Sequence, residues 1–187
     1  MGHRHSPSDR SRKPLGAARL DELALAYVAR FATSRAKLVR YLDRKVRESQ
    51  WTDEADPAEA CAAIADRMAR LGFLDDRQYA AMRGQAMMRR GLGARRVRAQ
   101  LYADGIGESD SAPVLEAAEA GAAAAAIGFA RRRRFGPFAA EPASDPARRE
   151  RQVAAFVRAG HAPHLARRIL AVAPGDDDAL DAIAALD

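Results

Sequence analysis

The chain is short of the residue types on which much protein chemistry depends. A single cysteine, Cys61, excludes an internal disulfide and fits a reducing, cytoplasmic compartment. Aromatic residues make up only 6% of the sequence, with one tryptophan, Trp51, so any core must be built from aliphatic side chains and alanine. Alanine propagates helices well but buries little surface, which favours several small helical cores over one large one. There are four histidines. His3 and His5 fall in a polar N-terminal stretch read as a solvated tail, whereas His161 and His164 flank Pro163 at a predicted helix start, where capping or exposure accounts for them. No base, activating partner and stabiliser come within reach of one another, so the chain reads as a non-enzyme with no cofactor and no metal site. No apolar run is long enough to cross a bilayer, and Met1 to Pro14 lacks the apolar segment of a signal peptide. A soluble cytoplasmic monomer without a membrane partner is expected.

One further absence is local: no acidic residue falls between Asp76 and Asp104. That stretch, within Leu71 to Ile106, reads as two helices broken at Gly91 and Gly93. Its exposed faces are predicted to carry Arg83, Arg89, Arg90, Arg95, Arg96 and Arg98. The whole chain has 31 Lys and Arg against 25 Asp and Glu, a formal charge of +6, and a pI near 10.1. This balance favours a polyanionic or acidic partner, and the arginine-rich hairpin is the natural place to meet it.

Along the chain, residues 1–18 read as a disordered basic arm. From Leu20, apolar residues recur at helical spacing through Leu23, Ala24, Tyr27, Val28 and Phe31. Ser34 is a predicted N-cap for a second helix with Leu38, Tyr41, Leu42 and Val46 inward and Arg40 and Arg44 among its outward cations. Trp51 is expected to cap a core edge. Asp56 and Pro57 open a third helix with Cys61, Ile64, Met68 and Leu71 inward, stopped by Gly72. Cys61 is therefore a packing thiol. Asp75 suits an N-cap better than a catalytic role beside Asp76, because adjacent helical residues do not face each other. The fourth helix presents Tyr79, Met82 and Ala86 inward. Met87 and Met88 follow that stripe, and core filling is expected of at least one. Val97 and Leu101 hold the fifth helix, which ends at Gly105 and Ile106. A sixth, alanine-rich helix opens at Asp110 or Ser111 and runs past Phe129 to Arg131–Arg134. That run suits either a solvated helix end or a second contact with a partner. After a Pro/Gly-rich link come a helix with Val153, Phe156 and Val157 inward, one with Leu165, Ile169 and Leu170, and a last one with Leu180, Ile183 and Leu186.

Three segments share one plan. The anchor pairs are Leu38/Leu42, Val97/Leu101 and Leu165/Ile169; the preceding stripes are Leu25/Val28, Tyr79/Met82 and Val153/Phe156. In this register the middle copy has a first helix longer by about one turn. No strand-like alternation is present. The expected architecture is all-α, an elongated array of three tandem three-helix bundles. Its segments are the arm at 1–18, repeat 1 at 19–72, repeat 2 at 73–134, and a linker with repeat 3 at 135–187.

The run Gly72-Phe73-Leu74-Asp75-Asp76 with Tyr79-Ala80, followed by Arg90-Gly91-Leu92-Gly93-Ala94-Arg95-Arg96-Val97, Gln100-Leu101 and Gly105-Ile106, resembles the RecX family. The resemblance extends to Ala24–Leu42 and more loosely to Arg134–Phe138 and Arg151–Leu170. It implies three helical repeats that lie in the groove of the RecA–DNA filament, contact more than one recombinase subunit and depress strand exchange and ATP hydrolysis, without cofactor or catalysis. The partners it implies are the RecA filament and the single-stranded DNA within it. Arg83, Arg89, Arg90, Arg95, Arg96 and Arg98, with Arg40 and Arg44, are the expected contact residues. The competing reading is a helix-turn-helix protein acting on duplex DNA. Few Asn, Ser or Thr residues accompany the arginines where base readout would need them.

Overall fold

The computed structural model describes residues 12–141 and 145–185. Among these are ten α-helices, one 3-10 turn and a two-residue parallel bridge. The chain divides into two compact units, meeting between Asp75 and Asp76. Buried apolar side chains fall into three clusters, one in the first unit and two in the second.

The first unit holds α1 (Ala17–Val28), α2 (Arg35–Arg47) and α3 (Pro57–Arg70). Leu20 and Ala24, Leu38 and Leu42, and Cys61, Ala65 and Met68 meet in its core. Local chemistry sets the helix ends. Ser34 Oγ accepts from the Lys37 amide at 3.2 Å, and Asp56 accepts from the Ala58 amide at 2.7 Å ahead of Pro57. A cap of this kind contributes about 1 kcal/mol. Gly72 takes the left-handed conformation, φ 79°, and the Phe73 amide returns to the Met68 carbonyl to close α3.

Two expectations change here. Residues 14–18 are not part of a free arm. β1 (Pro14–Leu15) pairs in parallel with β2 (Gln50–Trp51), Leu15 is buried in the core, and α1 begins at Ala17. The Asp53 carboxylate accepts from the Ala17 amide at 2.6 Å, so the cap of α1 lies 36 residues away and no local pattern announces it. Residues 1–11 of the expected arm lie outside the described residues. Leu71 and Phe31, assigned to inward stripes, are 61% and 51% exposed, because α3 and α1 end just before them. Trp51 packs partly against the core edge, and its indole donates to the Ala55 carbonyl at 2.8 Å.

The second unit begins with α4 (Asp76–Arg89), α5 (Ala94–Ala103) and α6 (Glu108–Ala120). Tyr79, Ala80, Met87, Val97, Leu101, Ile106, Val114 and Leu115 form its first cluster. Of the expected inward stripe Tyr79, Met82, Ala86, Tyr79 is buried, but the face does not continue through Met82. Met82 is 47% exposed, while Gly84 and Met87 are buried. A β-carbon on Gly84 would stand 2.5 Å from Val114 Cγ2, so the glycine is what lets α6 lie against α4. The extra turn expected in the middle segment disappears with this register. Met87 precedes Val97 by the same spacing that separates Val28 from Leu38.

The expected sixth helix is two. α6 starts at Glu108, with Pro113 inside it. It stops at Gly121, and α7 (Ala122–Arg133) leaves with a bend of 65°. The bend carries α7 out of the 73–134 segment's core and into the next. Ala123, Ala126 and Ala130 pack with Val153 and Phe156 of α8 (Pro146–Ala159), Leu165 and Ile169 of α9 (Pro163–Leu170), and Leu180 and Ile183 of α10 (Asp177–Ala184). Asp145 accepts from the Ala147 and Arg148 amides at 2.9 and 3.2 Å, and Asp176 from the Ala179 amide at 3.0 Å, which places the starts of α8 and α10. Val157 is 43% exposed rather than inward. Leu186 lies outside the described residues. Among the described residues no single helix is long and apolar enough to cross a membrane; only the bent pair α6–α7 reaches that length.

Candidate functional site

Among the described residues no group of three or more His, Cys, Asp or Glu side chains is placed to hold a metal ion. α4 begins at Asp76, so Asp75 stands at its N-cap position. Cys61 is fully buried, and burial pushes its thiol pKa up, with Asp43 adding to the rise, which removes nucleophilic character.

The arginines of the α4–α5 hairpin divide into two sets. Arg83 Nε lies 3.7 Å from Asp104 Oδ2, an ion pair rather than a hydrogen bond. Asp104 is buried and also accepts from the Tyr79 hydroxyl at 2.9 Å and the Gln100 amide at 3.1 Å. Arg83 thus neutralises a carboxylate that ties α4 to the end of α5. Arg98 donates to Glu119 of α6 at 2.6 Å. By contrast, Arg89, Arg90, Arg95 and Arg96 are exposed and make no ion pair among the described residues. They flank the turn at Gly91 and Gly93. On α2 in the first unit, Arg40 is exposed, and Arg44 lies 3.8 Å from Glu48 and over the Tyr41 ring.

The turn is held from below by the third cluster. The Gly93 amide donates to the Ala159 carbonyl at 2.9 Å. A β-carbon on Gly93 would stand 2.5 Å from the Gly160 carbonyl oxygen, and one on Gly160 2.5 Å from the Arg96 amide. These glycines allow the backbones of the two helix pairs to touch. Gly91 has φ 76°, and a β-carbon there would collide with the Arg132 guanidinium. Arg132 of α7 therefore reaches the hairpin and adds a cation beside Arg89 and Arg90. From sequence, Arg131–Arg134 stood open between a solvated helix end and a second contact with a partner; the bend at Gly121 brings α7 back toward this turn.

His161, expected at a surface or a cap, is instead 2% exposed. Its Nε2 donates to the Gly91 carbonyl at 3.0 Å, and its ring lies against Phe129 and Phe156. Burial lowers its pKa below the ordinary value; the Gly91 hydrogen bond opposes this and the Arg132 charge reinforces it. The imidazole is thus a neutral strut under the turn. His164 is exposed, as expected.

Two clefts adjoin the hairpin. One of about 570 Å³ lies between α5 and α6, with Arg98, Tyr102, Ser111, Glu116 and Glu119 on its walls. The other, about 320 Å³, is bordered by Gly93, Arg95, Arg98, Gly160 and His161. In the larger cleft the Ser111 hydroxyl donates to the Glu108 carbonyl at 3.2 Å and Arg98 is paired with Glu119; the exposed guanidinium groups around the turn offer cationic recognition.

No family model matches the sequence. A regulatory protein RecX from Myxococcus xanthus (strain DK1622) is 31% identical over 156 residues, covering 81% of this chain and 83% of that one. The crystal structure of a regulatory protein RecX superposes with a TM-score of 0.63 at 23% identity, over 82% of this chain and 72% of that one. The crystal structure of RecX from Lactobacillus salivarius gives a TM-score of 0.61 at 14% identity, over 82% and 94%. At those identities the two structures speak for the fold, and the Myxococcus relative for kinship. The chain belongs to the RecX family of regulatory proteins.

Proposed function

We propose that this protein binds the RecA–DNA nucleoprotein filament and inhibits the recombinase: filament growth, ATP hydrolysis and strand exchange during DNA repair. The observation that carries the reading is the set Arg89, Arg90, Arg95 and Arg96, exposed around one rigidly supported turn without an acid among them. Guanidinium groups pair bidentately with phosphates and with carboxylates, so a nucleoprotein surface presenting both suits them. Kinship with a regulatory protein RecX supports a regulatory rather than a catalytic role. In this reading the protein is a cytoplasmic monomer. Arg40 and Arg44 of the first unit add to the contact, and Arg83 and Arg98 shape the hairpin as much as they meet the partner.

The test is the single-strand-dependent ATP hydrolysis of the recombinase. Substoichiometric protein should slow it. The variant with Arg89, Arg90, Arg95 and Arg96 replaced by Ala should inhibit far more weakly while keeping its helical circular dichroism. Undiminished inhibition by that variant would remove the hairpin from the contact surface. A footprint of the protein alone at one duplex sequence would instead favour a helix-turn-helix mode of action.

A further inference from the structure

A surface of the first unit carries chemistry of a different kind from that of the arginine hairpin. Phe31 follows the end of α1 and is 51% exposed. Its ring lies 5.2 Å from Tyr27, tilted by 48°, and Tyr27 stacks on Tyr41 of α2 at 4.2 Å and 17°. In a chain with so few aromatics, three of them form one row, and only Tyr27 and Tyr41 pack partly against the aliphatic core. Cations border the row at both ends. The Arg30 guanidinium is 5.6 Å from the Phe31 centroid; Arg44 and the Lys45 ammonium are 5.6 and 5.9 Å from the Tyr41 centroid. One acid, Glu48, pairs with both Lys45 at 2.8 Å and Arg44 at 3.8 Å, so the border keeps a net positive charge.

We propose that this row is a stacking platform for single-stranded nucleic acid, with Phe31 receiving a base and Arg30 and Arg44 the flanking phosphates. Exposed aromatic rings edged by guanidinium groups are what an unpaired strand needs: a π-face for each base and positive charge for the backbone between bases. A duplex offers no free base face to Phe31, so the platform discriminates strandedness and not sequence. A purely apolar protein partner would leave three cations to be desolvated at the edge of the contact, which weighs against that occupant. The inference goes beyond the filament reading: of its residues only Arg44 is shared with that reading, and it can be tested without recombinase.

The experiment is fluorescence anisotropy of a short labelled oligothymidylate, which has no structure of its own, titrated with the full chain alone. Phe31→Ala should weaken binding about tenfold, the order expected for loss of one stacked base, with unchanged helix content because the side chain is exposed. Phe31→Trp should retain binding, and its emission, above the Trp51 background, should be quenched as the strand is added. Arg30→Ala should weaken binding and flatten its dependence on salt. The proposal is overturned if the parent chain does not bind the oligonucleotide, or if Phe31→Ala binds it as tightly as the parent. It is also overturned if Phe31→Ala spares oligonucleotide binding yet loses inhibition of the recombinase, which would assign the row to a protein partner. Because the filament contact is read by the hairpin variant in the ATP hydrolysis assay, either reading can fail without the other.

Discussion

His161 and Gly91 stand 70 residues apart, and the imidazole Nε2 of one donates to the carbonyl of the other at 3.0 Å. The bond joins the approach to α9 with the turn between α4 and α5, so the third cluster of the protein supports the arginine turn of the middle one. The other ring nitrogen, Nδ1, is buried and has no hydrogen-bond partner among the described residues. Phe129 and Phe156 lie at 5.2 and 5.7 Å from the ring, and Arg132 is the charge that faces it.

That environment fixes the sign of a pH effect. Burial, aided by Arg132, holds the folded-state pKa of His161 below its ordinary 6.5. As pH falls, the unfolded chain takes up the proton first, so protonation favours unfolding. The junction should be fully stable above about pH 6.5 and lose stability progressively through the window below it, down to the folded-state value. Thermal unfolding of the full chain across that range, beside His161→Gln, provides the measurement. The variant should be less stable at neutral pH and its midpoint flatter against pH. Equal slopes for the two proteins would show that some other group governs acid sensitivity.

A second prediction concerns Gly84. Replacing an exposed helical glycine by alanine ordinarily stabilises a protein by up to about 1 kcal/mol. Here the added methyl would meet Val114 Cγ2 at 2.5 Å, so the contact between α4 and α6 must open. Overpacking of this kind costs about 1–3 kcal/mol and outweighs the helix-propensity gain. Gly84→Ala should lower the urea midpoint, and Gly84→Ala with Val114→Ala should recover part of the loss. Additive effects of the two substitutions would contradict the contact.

The same contact explains where the sequence was legible and where it was not. Helix ends set by local chemistry were readable from residue type: Ser34, Asp56, Asp145 and the stops at Gly72, Gly105 and Gly160 stand where their patterns place them. The hairpin's glycine break and the anchors Leu38, Leu42, Val97, Leu101, Leu165 and Ile169, all buried, were equally visible. Features decided by distant partners were not. The Asp53 cap on Ala17 spans 36 residues, so the N-terminal arm was drawn too long. The inward face of α4 was misjudged because a glycine has no hydrophobic weight, although its missing side chain is what admits Val114. In α6 and α7, alanine on every face leaves no stripe from which to notice the break at Gly121, and with it went the approach of Arg132 to the hairpin. His161 gave no sign of burial, since its partner is a backbone carbonyl.

Tyr79 and Asp104 supply a third prediction. The Tyr79 hydroxyl donates to a carboxylate that is 6% exposed. A hydrogen bond to a charged acceptor contributes about 1.5–3 kcal/mol. Tyr79→Phe should therefore destabilise the second unit by an amount in that range in urea unfolding, without altering the aromatic packing of α4. A loss below about 0.5 kcal/mol would mean that Gln100 and Arg83 satisfy Asp104 by themselves.

The hairpin arginines should separate by what they touch, and this is the sharpest test of their division into two sets. Arg83→Ala strips the buried Asp104 of a neutralising charge, so it should cost stability on the order of 1–3 kcal/mol. Arg98→Ala breaks a pair whose side chains are both more than half exposed, and exposed pairs contribute about 0–1 kcal/mol. Arg89, Arg90, Arg95 and Arg96 have no acidic partner among the described residues, so Ala at each should shift stability by no more than about 0.5 kcal/mol. Binding should show the reverse order. If these four meet filament phosphates, each replacement should lower affinity and reduce the dependence of log affinity on log salt by about 0.7–0.9. If they meet carboxylates of the recombinase, affinity should fall with a much smaller change in salt slope, because no condensed counterions are released. Urea unfolding and filament binding across a salt series, run on the six single variants, distinguish the two partners residue by residue. A variant at Arg95 or Arg96 that loses stability and keeps binding would place that residue with Arg83 in the scaffold.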